Sequence, residues 1–182
     1  MVVTSLKDFL TKFKLFSKVF VIAVLINLFF IVNVLSASSG SKISKKTGLA
    51  LPRFVSLKSN KVNLRRGPSL DYKIDWVYKR KHLPLMIVSE FGHWRQVTDF
   101  EGYTGWIYKD LLSGSRYIIV NNEETLLRNK ATFDSLGKAI LKRKVIAKLI
   151  DCEGLWCFIR ISNMRGYVLA EHIWGISIDK RY

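Results

Sequence analysis

The sequence predicts an all-β protein in which two small β-barrels follow one another behind an N-terminal hydrophobic segment. Three observations predict this fold class. After residue 50, short runs of alternating apolar and polar residues are separated by turn signals. No part of that region has the periodicity of a long amphipathic helix. The same order of runs and turns also occurs twice, in copies of roughly 60 residues, which favours two barrels over one larger sandwich.

The first 37 residues have the organisation of a secretory signal peptide. A basic start is followed by an uncharged apolar stretch, residues 19–35, and then by small residues. Ala37 is the predicted last residue before cleavage, with Ser36 and Ser38 as alternatives. An uncleaved anchor is the competing interpretation, because this stretch reaches only the lower limit of a spanning helix. Both interpretations export the rest of the chain to the periplasm, and only the anchor leaves it attached to the inner membrane.

The rest of the chain divides into a spacer and two barrels. Residues 38–52 are small, polar and basic without periodicity, which predicts a flexible spacer. The first barrel is assigned to residues 53–120 and the second to residues 121–182. In the first copy the strand signals cover residues 61–65, 83–89, 93–98 and 104–108.

The chain is strongly basic, with 30 Lys and Arg against 14 Asp and Glu and a formal net charge of +16. Beyond the first 37 residues there remain 26 basic and 13 acidic residues, so the net charge of the body is +13. Such a body is attracted to nucleic acid, anionic lipid or acidic cell-wall polymers. The alternative is a solvated surface that keeps the protein soluble.

The two copies contain matching residues at matching spacing. Leu64 and Trp94 of the first copy are 30 residues apart, and Leu127 and Trp156 of the second copy are 29 residues apart. From first copy to second, the matching pairs are Leu64 and Leu127, Arg65 and Arg128, Trp94 and Trp156, Gly105 and Gly166, Trp106 and Tyr167, and Gly114 and Gly175.

These segments resemble a known family. Residues 62–69 (VNLRRGPS), 90–97 (EFGHWRQV), 105–107 and 111–114 resemble the bacterial SH3-like (SH3b) domain, in particular the subgroup of exported α-proteobacterial proteins. Residues 152–157 and 173–175 resemble the companion repeat of that subgroup, although Tyr167 replaces the commoner Trp there and the Arg-Gly-Pro turn is lost. The resemblance covers residues 52–179. It implies barrels of roughly five or six strands and a non-catalytic binding role, often toward cell-wall material. Proline-rich recognition is not carried over, because no Ala-Leu-Tyr-Asp-Tyr-type segment is present.

Cys152 and Cys157 are the only cysteines of the sequence, and four residues separate them. A structural disulfide across a hairpin is the leading interpretation, since the spacing permits it and an exported protein meets an oxidising environment. Free thiols, a redox-active pair and a metal site are the alternatives. The redox interpretation lacks Cys-x-x-Cys spacing, and the metal interpretation lacks further ligands. We expect no metal and no cofactor.

The sequence contains no phosphate-binding loop, zincin motif or serine elbow. Cys157 with His172 is conceivable as a peptidase pair. Both residues fall within the repeat, however, which leaves no length for a catalytic domain. We therefore expect a binding protein and not an enzyme.

Five residues of the first copy are candidates for ligand binding: Arg65, Arg66, Trp94, Trp106 and Tyr108. The arginines can present a guanidinium group to a carboxylate or phosphate. The alternatives are favoured by the residue types: aromatic residues are more often packing residues in so small a barrel, and an arginine at a strand end is more often simply exposed.

Three hypotheses for the function follow. The first is a cell-envelope binding module that recognises peptidoglycan or an envelope protein. The second is a structural or accessory docking protein of an envelope complex. The third is nucleic-acid binding, which rests on charge alone. Export argues against it, so no nucleic-acid partner is expected, and contact with a membrane is expected only through an uncleaved N-terminal segment.

Overall fold

The computed structural model describes residues 42–177, so the predicted signal segment and its cleavage site at Ala37 lie outside the described residues. The described part contains two seven-stranded antiparallel sheets and two single 3-10 turns, Lys109–Leu111 and Ala170–His172. The predicted all-β class with two small SH3-like barrels is confirmed. No helix among residues 42–177 is long and apolar enough to cross a membrane.

A small hairpin precedes the first barrel. Strands β1 (Lys42–Ile43) and β2 (Ala50–Leu51) pair antiparallel. The sequence predicts a flexible spacer over residues 38–52, and this expectation is wrong for the hairpin. The cause is a long-range contact: the hydroxyl of Ser44 donates a hydrogen bond to the carboxylate of Glu90, and the Thr47 hydroxyl donates another at 3.0 Å.

The first sheet contains the strands β3 (Arg53–Leu57), β4 (Val62–Arg65), β5 (Ile74–Tyr78), β6 (Pro84–Phe91), β7 (Trp94–Thr98), β8 (Thr104–Tyr108) and β9 (Leu112–Ser113). Their order across the sheet is β5-β4-β8-β7-β6-β3-β9. The four strands that the sequence predicts correspond to β4, β6, β7 and β8. Strand β5 lacks a readable signal because it is an edge strand with its first three residues exposed, so neither face shows a buried alternation.

The second sheet contains β10 (Tyr117–Val120), β11 (Glu124–Arg128), β12 (Gly137–Lys142), β13 (Ile146–Glu153), β14 (Trp156–Ile161), β15 (Met164–Leu169) and β16 (Ile173–Trp174). The strand order across this sheet is β12-β11-β15-β14-β13-β10-β16. Each strand number is seven higher than at the same place in the first sheet, so the two sheets have the same topology. Strand β10 corrects the predicted boundary at residue 120, because it pairs with β13 and β16 of the second sheet.

The matching glycines Gly105 and Gly166 are needed for the same reason of packing in both barrels. A Cβ atom on Gly105 would lie 2.9 Å from the carbonyl oxygen of Arg65, and one on Gly166 would lie 2.5 Å from that of Arg128. At both places, therefore, only a residue without a side chain lets the neighbouring strand approach this closely.

Each barrel has its own core, and the two cores touch. Leu57, Leu85 and Ile107 are among the buried side chains of the first. Strand β10 is buried on both faces: Ile118 packs into the second core, whereas Ile119 packs into the first. Residues of both barrels accordingly belong to one compact unit.

Candidate functional site

The first barrel has a half-open groove with a volume of about 240 Å³. It lies between the start of β4, the loop that follows β4, and the ends of β7 and β8. Its lining combines apolar and aromatic side chains with two cations and one amide: Lys61, Val62, Asn63, Arg65, Leu70, Trp94, Tyr108 and Leu111. This mixture is typical of sites that fix a ligand by shape and orient it by a few polar groups.

Trp94 and Tyr108 form the aromatic wall of the groove. They are directly opposite each other on β7 and β8, so they point to the same face. Their rings meet edge to face, with centroids 5.6 Å apart and an interplanar angle of 82°. Both side chains are half-buried, because the alternate positions Arg95 and Ile107 point inward. The two rings thus pack on each other and still expose part of their surface to a ligand.

Arg65 supports the groove from the end of β4. Its Nη1 donates hydrogen bonds to the carbonyl oxygens of Leu70, at 2.8 Å, and Tyr72, at 2.7 Å. These two bonds hold the loop that brings Leu70 into the groove. The N–H groups of Nε and Nη2 form no hydrogen bond within residues 42–177, so they remain free to bind an acceptor.

The other two candidates lie away from the groove. Arg66 is exposed and forms an ion pair with Asp75, with an N–O distance of 2.9 Å. Trp106 is half-buried on β8, opposite Arg65, and is not part of the groove lining. The structure therefore brings Arg65, Trp94 and Tyr108 together and leaves Arg66 and Trp106 outside.

Sequence reasoning missed five polar or apolar lining residues: Lys61, Val62, Asn63, Leu70 and Leu111. A signal for two of them was available. Lys61 and Asn63 stand at alternate positions before Arg65, so the period of a β-strand places all three on one face. Leu70 and Leu111 carried no such signal, because they enter the groove from a loop and from a 3-10 turn.

The second barrel does not repeat the chemistry of this groove. Glu124 stands where the first barrel has Lys61, and Leu169 stands where it has Tyr108. The tryptophan is kept as Trp156, but Phe133 packs on it with ring centroids 5.2 Å apart. The Arg128 guanidinium lies 6.0 Å from the centroid of the same ring. The second barrel therefore keeps the arginine and the tryptophan, but an acid replaces the lysine, an aliphatic residue replaces the tyrosine, and the tryptophan ring is covered.

Cys152 and Cys157 form a disulfide, which confirms the leading interpretation of the cysteine pair. They are directly opposite on β13 and β14, next to the hairpin turn, with Cα atoms 4.0 Å apart. Cys157 thus has no free thiol, and Nδ1 of His172 lies 2.9 Å from the Thr125 hydroxyl. The conceivable pair of Cys157 and His172 is not formed. Residues 42–177 also contain no group of three His, Cys, Asp or Glu side chains placed to hold a metal ion.

A buried charge cluster ties the N-terminal hairpin to the first barrel. The Glu90 carboxylate pairs with Arg53 and, at 3.2 Å, with Arg95. Burial alone would raise the pKa of Glu90. Hydrogen bonds from Ser44, Arg53 and Thr47, together with the Arg53 charge, outweigh burial and lower this pKa below its usual value.

Comparisons with known proteins agree with the class that the barrel and its groove define. The family model described as "Bacterial SH3 domain" matches residues 58–114, which contain β4 to β9. This part of the chain is therefore similar to bacterial SH3 domains.

A comparison with curated protein sequences finds no match. Among solved structures, one titled "Structure of NlpC2 from Trichomonas vaginalis" is similar over 68% of this chain, with 14% sequence identity and a TM-score of 0.32. The match covers 48% of that protein, so this chain spans about half its length. A similarity of this size does not establish a shared fold or function.

Proposed function

We propose that the protein is a non-catalytic binding module of the cell envelope that recognises peptidoglycan, or a protein of the envelope, through the groove of its first barrel. One observation carries the proposal: within a barrel similar to bacterial SH3 domains, an accessible aromatic pair stands beside two cations.

The groove suits the chemistry of peptidoglycan. Stem peptides carry carboxylates, which the Lys61 ammonium and the free N–H groups of Arg65 are placed to bind. No carboxylate oxygen lies within 4.0 Å of either cation among residues 42–177, so neither charge is neutralised by the protein. Trp94 and Tyr108 offer apolar ring surface for the sugar rings or the alkyl groups of the peptide.

The proposal includes the periplasm as the site of action. It rests on the signal-like residues 1–37 and on the resemblance to the exported subgroup. The body is either released after cleavage at Ala37 or held at the inner membrane by the uncleaved segment. In both cases the basic body meets anionic material of the envelope.

Co-sedimentation of the purified chain with peptidoglycan sacculi at low salt tests the proposal. We expect the protein to pellet with the sacculi and the variant Trp94→Ala to stay largely in the supernatant. Trp156→Ala is the matched control, because it removes the equivalent ring of the second barrel, and it should pellet like the unmodified chain. Failure of the unmodified protein to pellet, or equal pelleting of Trp94→Ala, would count against a wall ligand in this groove.

An accessory docking role is the second candidate, and one observation favours it. Trp76 and Tyr103 stack with ring centroids 5.5 Å apart and planes 9° apart, although both are about half exposed. Trp76 belongs to β5, an edge strand, and edge strands with exposed aromatic residues are common sites of protein contact. Crosslinking in intact cells favours this role if one protein dominates the products while sacculi do not bind.

A further inference from the structure

The outer face of the second sheet carries a row of cations. Lys148 on β13, Arg160 on β14 and Arg165 on β15 stand directly opposite one another on three neighbouring strands. Such residues point to the same side of a sheet. This side is the outer one, because the adjacent residues Leu149 and Ile159 are buried in the core. The row spans two strand spacings, about 10 Å.

The row is not neutralised within the protein. None of its three cations has a carboxylate oxygen within 4.0 Å among residues 42–177. Lys138 adds a fourth cation, since its Nζ donates a 2.8 Å hydrogen bond to the carbonyl oxygen of Arg165. Like charges on directly opposite residues destabilise a sheet. The row therefore costs stability that no ion pair among residues 42–177 offsets.

The positive potential extends to the junction of the barrels. Tyr117 is opposite Lys148, and the His82 ring stacks on Tyr117 with centroids 4.2 Å apart. Burial, followed by the nearby charges of Lys81 and Lys148, lowers the pKa of His82. Lys148 of the row is thus close enough to the junction of the barrels to disfavour the charged form of His82, although burial is the larger cause.

The fold itself does not require this row. In the first barrel the equivalent three positions are Met86, Thr98 and Thr104, which also stand directly opposite one another. All three are uncharged, and the two threonine hydroxyls lie 3.0 Å apart. The same architecture is therefore built without cations, and the charge of the second barrel is a property of its own surface.

An aromatic pair lies next to the cations on the same strands. Phe158 and Tyr167 stand directly opposite each other, two residues from Arg160 and Arg165, so they share the outer face at a distance of about 7 Å along the strands. Their ring centroids are 4.8 Å apart. On the far side of Phe158 stands the exposed carboxylate of Asp151.

We propose that this cationic face, formed by Lys148, Arg160, Arg165, Phe158 and Tyr167, binds a linear acidic polysaccharide. Carboxylates of the polymer bind the cation row, and the apolar faces of its sugar rings pack on the aromatic pair. A single straight row suits one polymer strand better than a bilayer, which presents its charges over a broad plane.

The Asp151 carboxylate is placed to accept hydrogen bonds from sugar hydroxyls, which a polysaccharide carries on every ring. Phe158 and Tyr167 are half-buried and in contact with each other. They therefore form a shallow apolar surface and not a cleft between two rings into which a nucleic-acid base could insert. This site is separate from the groove of the first barrel and does not depend on it.

Calorimetric titration of the purified chain with polygalacturonate, which carries one carboxylate per sugar ring, tests the proposal. We expect binding that weakens with added salt, and no binding of dextran, a neutral polysaccharide. The double variant Arg160→Thr, Arg165→Thr introduces the residues of the first barrel, so it should fold, as circular dichroism can verify. We expect it to weaken binding at least about tenfold.

The double variant Lys142→Thr, Arg143→Thr is the matched control, since it removes the same charge from the same barrel outside the row. It should retain most of the affinity. Absence of polygalacturonate binding overturns the proposal. So does an equal loss in both double variants, which would indicate unspecific charge attraction, or tighter binding of single-stranded oligothymidine or of anionic vesicles than of polygalacturonate.

Discussion

The Lys144 ammonium of the second barrel lies 2.6 Å from the Glu101 carboxylate of the first. Its Nζ also stands 5.7 Å from the ring centroid of Phe100. Elsewhere in the same junction, Trp174 packs against the first core and meets the Phe54 ring edge to face, with centroids 4.9 Å apart. These contacts join the two barrels through polar and apolar surface, so each completes the packing of the other.

We predict that the barrels unfold together and that Trp174→Ala destabilises both. The loss should be about 2 kcal/mol, less than for a fully buried tryptophan, because Trp174 is half-buried. Urea denaturation followed by circular dichroism measures it. Leu136→Ala, at a position where the side chain is 78% exposed, serves as the control and should change stability little. Two separate transitions in the unmodified protein would refute the joint unfolding.

Reduction of the disulfide between Cys152 and Cys157 should destabilise the second barrel by about 2 kcal/mol, since the bridge closes only a short loop of the unfolded chain. The midpoint of urea denaturation with and without dithiothreitol gives this value. Titration of the denatured, unreduced protein should find no free thiol. Two free thiols in that protein would contradict the bridge.

Removal of the Tyr78 hydroxyl should destabilise the first barrel. This hydroxyl donates a 2.9 Å hydrogen bond to the buried carboxylate of Asp99. Tyr78→Phe leaves that carboxylate with only backbone donors, and we expect a loss of about 1–2 kcal/mol. Tyr72→Phe is the control, because the Tyr72 side chain is half exposed and its hydroxyl forms no hydrogen bond within the described part of the chain. Equal stability of the two variants would contradict the role of Tyr78.

The contact between Tyr78 and Asp99 also predicts that the stability of the first barrel depends on pH in the alkaline range. Burial, and then the Asp99 charge, raise the pKa of Tyr78 above its ordinary value of 10.0. Because the pKa of Tyr78 is higher in the folded protein, the stabilisation from this residue is complete below the pKa of tyrosine in the unfolded chain. It declines as the pH rises above that pKa. Stability measured between pH 8 and pH 11 should therefore fall more steeply in the unmodified protein than in Tyr78→Phe. Parallel curves would show that Tyr78 does not contribute.

Glu90 should make the first barrel sensitive to acid. Because the folded protein lowers the pKa of Glu90, its contribution is complete above the ordinary value of 4.5 and is lost as the pH falls through the folded value. At neutral pH, Glu90→Gln should cost about 3 kcal/mol, since it leaves the buried Arg95 without its partner.

Urea midpoints between pH 7 and pH 3 test the acid dependence. They should change less for Glu90→Gln than for the unmodified chain. Glu153→Gln, which alters an exposed carboxylate with no ion pair among residues 42–177, should behave like the unmodified protein. A Glu90→Gln variant that follows the unmodified curve would contradict this account.

The repeat was readable from the sequence because matching residues perform matching local tasks. Arg65 binds the carbonyl oxygens of residues five and seven positions further along, and Arg128 does the same with Phe133 and Ser135, at 2.8 Å each. Such short-range contacts preserve spacing. They also show that Arg65 has two roles: it holds the loop that follows β4, and it lines the groove.

Long-range contacts set the features that the sequence did not reveal. The N-terminal hairpin is ordered by Glu90, which lies 46 residues from Ser44. Strand β10 belongs to the second sheet although Ile119 packs into the first core. The cationic face arises only when β13, β14 and β15 align, since Lys148, Arg160 and Arg165 form no cluster along the chain.

The central claim, that the groove of the first barrel binds peptidoglycan, is tested most directly by nuclear magnetic resonance of the full chain titrated with soluble peptidoglycan fragments. We expect the largest shift changes at the Trp94 indole N–H and the Asn63 side-chain amide, with the Trp156 indole N–H unchanged. The absence of shift changes, or changes centred on Trp156, would contradict it.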